Sequence, residues 1–197
     1  MMGISETLYD MLLSPLESMR LSRKRQKLIS TVRGQVLEIG VGTGVNFKHY
    51  HYNRIKQLDL IDVSLTDKVK TYKFPSKLKV SLKELSVEKL PFEDNTYDYV
   101  VFTLVFCSVP NPINGLAEIR RVLKPNGKII FMEHVLPEHK GLKKIFHKLT
   151  PTWKKLAHGC HLNRETLKDI SNSGFTIDKS DRFFKGTFIS GIASNTK

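Results

Sequence analysis

The segment VLEIGVGTGVNF, residues 36 to 47, constrains this chain more than any other. An apolar run ends in three alternating glycines, Gly40, Gly42 and Gly44. Glycine enters positive φ at little cost, so a buried strand can turn sharply there and its backbone can approach a ligand closely. The dinucleotide fingerprint G-x-G-x-x-G would place glycine at position 45, where Val45 stands. The pattern is E-x-G-x-G-x-G instead, with Glu38 two residues before the first glycine. A carboxylate at that point suits a ligand with an ammonium group, held directly or through water.

The remaining apolar runs set the architecture. Residues 35–39, 55–62, 78–82, 97–105 and 128–135 read as strands, and PINGLAEIRRVLK reads as a helix followed by the turn Pro125-Asn126-Gly127. Strands alternating with helices predict a parallel, doubly wound α/β sheet. FTIDKSDRFF and GTFISGIA alternate in polarity about Lys185-Gly186, which predicts an antiparallel terminal pair. The expected whole is one Rossmann-like seven-stranded sheet over residues 34–197, with helices on both faces. Leu8, Met11, Leu12, Leu16 and Met19 recur at helical steps, so residues 1–33 are expected to be helical, a second helix starting at Ser14-Pro15. A basic, partly helical insertion, 138–162, follows the fifth strand. NRETLKDISNSG then reads as a helix with Asn163 as its N-cap and Gly174 at its end.

Asp62 ends the second strand. A carboxylate there can accept hydrogen bonds from both hydroxyls of a ribose. Asp59 is the alternative, and helix N-capping is the competing role for Asp62.

The net charge of +13 is concentrated in two blocks, one around Arg20–Arg33 and one around Lys140–Lys155. Such blocks suit an anionic membrane surface, a nucleic acid or an anionic ligand, or are simply solvated helix faces. No aromatic residues interleave with the first block, which counts against a base-stacking platform. The two cysteines, Cys107 and Cys160, make no disulfide framework. No apolar run reaches the ~20 residues needed to span a bilayer, and the N-terminus lacks a signal-peptide pattern. A cytoplasmic location, with peripheral membrane contact, is the expectation.

Glu38 to Gly44, then Asp62, Leu90-Pro91-Phe92 with Tyr97-Asp98, and Arg120 to Gly127 together resemble the class I S-adenosylmethionine-dependent methyltransferases, in the branch with the ubiquinone/menaquinone C-methyltransferases. The resemblance implies that Glu38, Gly40, Gly42 and Gly44 line the methionine end of the cofactor. It implies that Asp62 holds the ribose, Val63 packs on the adenine, and Thr103 and Leu104 offer backbone groups to the ammonium. The family usually carries Asp-Ala where this chain has Ser86-Val87, so adenine recognition would pass to Ser86 or to backbone groups. By the same resemblance residues 1–33 would be the lid helices, Tyr9 among them, and the insertion 138–162 would cap the acceptor pocket.

Methyl transfer from a sulfonium is an in-line displacement. It needs alignment and water exclusion, and a base only for a poorly nucleophilic acceptor. His134 is the candidate base, with a structural histidine as the alternative. Cys107, Glu133, His134, His158, Cys160 and His161 are the candidate acceptor-side residues. No metal site is expected, because His158 and Cys160 lack the further ligands of structural zinc. Phe131 to Val135, Trp153, Gly159-Cys160 and Leu162 to Glu165 are similar to the membrane-associated methyltransferase-like proteins that methylate alkyl thiols. Those relatives carry a long hydrophobic N-terminal anchor that this sequence does not show. The leading expectation is transfer to a small apolar acceptor, a thiol or a quinol-type ring. Phospholipid N-methylation, RNA or protein methylation and a non-catalytic cofactor-binding regulator are the alternatives.

Overall fold

The computed structural model describes residues 21–157 and 159–197. Seven strands form one sheet: β1 (Gly34–Ile39), β2 (Ile55–Asp62), β3 (Lys79–Glu84), β4 (Tyr97–Thr103), β5 (Leu123–His134), β6 (Phe175–Phe183) and β7 (Phe188–Asn195). Their order is β3-β2-β1-β4-β5-β7-β6. The first five run parallel, and β7 is antiparallel to both β5 and β6. This is the expected Rossmann-like sheet. The order reverses between β1 and β4, and open α/β sheets bind ligands at such a switch point.

Strand alternation assigns the two faces. Leu37 and Ile39, Val100 and Phe102, Ile129 and Phe131 share one core with Leu116, Ile119 and Val122 of α3 (Pro112–Val122) and Ile170 of α5 (Thr166–Asn172). Val36, Leu58, Leu60, Val101 and Ile130 pack on the other face with Ile29 of α1 (Ser22–Ile29) and Val69 of α2 (Asp67–Lys70). Glu38 is in phase with Val36 and so points toward α1. Glu133 is in phase with Phe131 and points the opposite way.

Several element ends differ from the sequence reading. β4 stops at Thr103, two residues early, because Leu104 takes φ +61° and donates its N–H to the Met132 carbonyl at 2.7 Å. β5 begins at Leu123 and already pairs with Tyr97 there. The register then jumps to Tyr99 with Lys128, so the predicted Pro125-Asn126-Gly127 turn is a bulge within the strand, with Asn126 at φ +62°. α5 starts at Thr166, and Asn163 is not its N-cap. The Arg164 guanidinium donates to the Val109 carbonyl at 2.7 Å, and the Arg164 carbonyl accepts from the Leu136 N–H at 2.9 Å, so that carbonyl does not open the helix. Asn163 instead meets His147 at 3.4 Å. The basic insertion forms one helix, α4 (Lys140–Leu156), that runs through Pro151. Of the expected N-terminal helices, only α1 falls within the described residues, and residues 1–20, Tyr9 among them, lie outside.

Candidate active site

A cavity of about 240 Å³ opens at the carboxyl edge of β1, β2 and β4. Gly40, Gly42, Asp62, Val63, Ser86, Val87 and Leu104 all line it. Seven residues chosen from the sequence thus meet around one space, from four separate segments of the chain. Ile39, Leu85, Glu88, Val105, Ser108, Val109 and Pro110 complete the wall.

Gly40 is tied to β2 by its N–H, which donates to the Ile61 carbonyl at 2.8 Å. A Cβ there would lie 2.3 Å from Val105 Cγ2, and φ is +67°. Gly42, at φ +51°, would point a Cβ into open space, with no atom within 4 Å. Its backbone is therefore bare toward the cavity. The Gly42 N–H donates to Asp62 Oδ2 at 2.8 Å, and the Ser64 N–H donates to Oδ1 at 3.3 Å. These two bonds aim the carboxylate along the cavity rim. Thr66 caps α2, so neither Asp62 nor Ser64 serves there. Asp59 is buried further back, accepting from Gln57 and Tyr97 and paired with Ser81. Val63 is 77% exposed, an apolar side chain left bare beside a polar rim. Ser86 Oγ accepts from the Glu88 N–H, and Glu88 Oε1 accepts from the Asn111 N–H at 2.9 Å.

Glu38 and Thr103 do not line the cavity; they form a buried network behind the loop. Asn46 Nδ2 donates to Glu38 Oε1 at 2.9 Å and to Thr103 Oγ1 at 3.0 Å. Tyr50 donates to Glu38 Oε2 at 2.7 Å. Arg25 of α1 donates to Asn46 Oδ1 at 2.7 Å and to Thr103 Oγ1 at 2.5 Å. Burial pushes the Glu38 carboxyl up to about 7, against the hydrogen bonds of Tyr50 and Asn46 and the Arg25 charge, which pull it down. The Asp62 charge raises it further. Arg25 was legible only as one member of a basic block, and nothing in its spacing marks it as the buried one. Gly44 abuts the Phe47 ring.

The acceptor-side residues gather elsewhere. Glu133 is fully buried under the loop after β4 and accepts from the Val105 N–H at 2.9 Å. Burial pushes its carboxyl up to about 8, opposed by the amides of Val105, Phe106 and Cys107. Cys107 and Cys160 lie thiol to thiol, buried with Ala157 against Trp153. The Cys160 hydrogen bond, with burial, pushes the Cys107 thiol well up. The His161 N–H donates to the Cys107 carbonyl at 2.7 Å. Residues 160–164 therefore lie along the loop whose other side lines the cavity. His158 is outside the described residues. His134 is sandwiched, stacked on Phe146 at 5.6 Å and edge-on to Phe188 at 5.4 Å. Burial pushes its imidazole down to about 4, leaving it neutral and weakly basic at physiological pH. That is the structural-histidine alternative rather than a poised base. Among the described residues, no group of three His, Cys, Asp or Glu side chains is arranged to hold a metal.

The cradle fits S-adenosylmethionine: a bare glycine backbone, a rim carboxylate, an exposed valine and a buried carboxylate network behind them. A family pattern described as a methyltransferase domain matches residues 37–131. Human thiol S-methyltransferase TMT1B is 33% identical over 189 residues, covering 86% of this chain and 75% of that protein. Demethylmenaquinone methyltransferase of Bacillus cytotoxicus is 39% identical over 67 residues, 34% of this chain and 28% of that one. Among solved structures, an S-adenosylmethionine-dependent methyltransferase from Mesorhizobium loti superposes with a TM-score of 0.66 at 14% identity, covering 87% of this chain and 96% of its own, a likeness of fold. The chain belongs to the S-adenosylmethionine-dependent methyltransferases, in the family that includes TMT1B.

Proposed function

We propose that the chain transfers a methyl group to the sulfur of a small, apolar thiol. One observation carries the choice of acceptor. The similarity to TMT1B extends over 86% of this chain, far beyond residues 37–131 of the cofactor-binding pattern. The added length includes the last residues of β5, α4 and residues 159–165, and α4 and 159–165 pack as one wall against the loop after β4. When bound, S-adenosylmethionine supplies a methyl group already activated on a sulfonium. Asp62 holds the ribose from the rim, and Val63 offers apolar surface to the adenine. Gly40 and Gly42 let the backbone close on the methionine end, and Glu38 holds negative charge behind it. Leu104, Val105 and Ser108 exclude water on the side where the acceptor enters.

No described residue is poised as a base for this acceptor. His134 is neutral and shielded, and Cys107 holds its proton. A thiol fits that site, since its thiolate is intrinsically a strong nucleophile and even a small ionised fraction can take the activated methyl group without a resident base. Incubating the pure protein and S-adenosylmethionine with alkyl thiols, quinols, phospholipids and RNA, and analysing products by mass spectrometry, tests the proposal. Thioether formation is expected. Methylation confined to quinols, lipids or RNA would sink it.

A further inference from the structure

Helix α4 has two apolar faces. Phe146 and Trp153 turn inward, Phe146 onto His134 and Trp153 onto the Cys107–Cys160 cluster, with buried Thr150 between them. Ile145, Leu149 and Leu156 form a second stripe, at i, i+4 and i+11, and are 51%, 51% and 47% exposed. At about 100° per residue this stripe lies roughly a quarter-turn from the buried face. The remaining arc carries Lys140, Lys143, Lys144, Lys148, Lys154 and Lys155, all exposed. Among the described residues none of these lysines has an ion-pair partner, and the nearby acid Glu138 is paired with Arg182 at 3.2 Å. Large apolar side chains left in water beside unpaired cations mark an interaction surface.

The geometry points to the interfacial layer of an anionic phospholipid bilayer as the occupant. We propose that α4 lies in the membrane plane, with Ile145, Leu149 and Leu156 dipping among the acyl chains and the lysines on the headgroups. A convex apolar stripe bordered by lysines has the form of an in-plane amphipathic helix. Anionic lipid is the charge complement of such a helix. A second copy of the chain would bring lysine against lysine on a molecule of net charge +13. A nucleic acid would use the lysines but leave the apolar stripe in water. Among the described residues no helix is long and apolar enough to cross a membrane, so this contact is peripheral. The inner face of α4 walls the acceptor side, so a docked helix would set that side near a source of apolar molecules. The proposal stands whichever acceptor is methylated.

Co-sedimentation of the full chain with phosphatidylcholine vesicles, with and without phosphatidylserine, tests it. Binding to the anionic vesicles is expected, falling about tenfold or more in the Ile145→Asn/Leu149→Asn double variant at unchanged melting temperature. Lys144→Gln/Lys148→Gln should weaken binding at low salt and have little effect at high salt. No binding to anionic vesicles would overturn the proposal. So would full vesicle binding by the asparagine variant, whether or not its melting temperature falls; a fall would mean the stripe is covered by protein. RNA binding that displaces vesicles and ignores the asparagine substitutions would assign the surface to a nucleic acid instead.

Discussion

Two acidic side chains carry the residue-scale chemistry, and burial makes them unlike their neighbours on the sequence. Glu38 titrates near 7 because desolvation outweighs its hydrogen bonds, and it already feels the charge of Asp62. A cation bound at the loop favours the ionised form. S-adenosylmethionine affinity should therefore rise with pH through about 7, and drop up to about tenfold per unit below it. Calorimetry across that range checks this, and Glu38→Gln should show weaker, pH-independent binding. Asp62→Ala removes the rim carboxylate that Gly42 and Ser64 aim, and should weaken cofactor binding by more than ~1.4 kcal/mol, a factor of ten. An unchanged dissociation constant would take Asp62 out of the site. Glu133 titrates near 8, above its ordinary 4.5. A raised carboxyl contributes stability that is full below about 4.5 and is lost as pH rises through about 8. Glu133→Gln should flatten that decline and be more stable than the parent above pH 8 by on the order of 2–4 kcal/mol, read from urea unfolding at several pH values. That both strands point a glutamate inward was visible in their alternation. That each is fully buried was not, because α1 and the loop after β4 come from distant parts of the chain.

At the scale of elements, the loop after β1 shows two glycines doing different work. Gly40 is pressed against Val105, and Gly42 faces open space. Gly40→Ala should lower stability by ~1–3 kcal/mol through the clash and the positive φ. Gly42→Ala should cost only ~1 kcal/mol for its φ, yet block the cavity and weaken cofactor binding more than Gly40→Ala does relative to its effect on stability. Thermal unfolding and binding measured together separate the two. The repeated pattern identified every strand, because apolar runs of the right length have few other uses. Element ends were poorly legible. The jump at residues 124–127 depends on what β4 offers across the ladder, and α5 starts late because the Arg164 carbonyl is taken by the Leu136 N–H. Neither partner is near in sequence.

The whole molecule is one sheet whose order reverses beside the glycine loop, so cofactor binding draws on β1, β2, β3 and β4 together. Saturating S-adenosylmethionine should then stabilise the native state globally. At a hundred times its dissociation constant the gain is ~2.7 kcal/mol, which raises the melting temperature by about 5–10 °C for a chain of this size. Differential scanning calorimetry checks it, and no shift at saturation would contradict a site of this kind. The sequence by itself determined the α/β class, the antiparallel terminal pair, the glycine loop and the aspartate at the end of β2, because these rest on local spacing and on backbone rules that hold wherever such a segment is buried, and its resemblance to a known family implied the cofactor. Tertiary structure alone decided that Arg25 is the buried arginine of its block, that His134 is a shielded neutral ring, that Cys107 meets Cys160, and that Ile145 and Leu149 stay exposed. Each of these depends on which distant surface covers a side chain, and burial, which sets both charge state and reach, is a property of the packed whole.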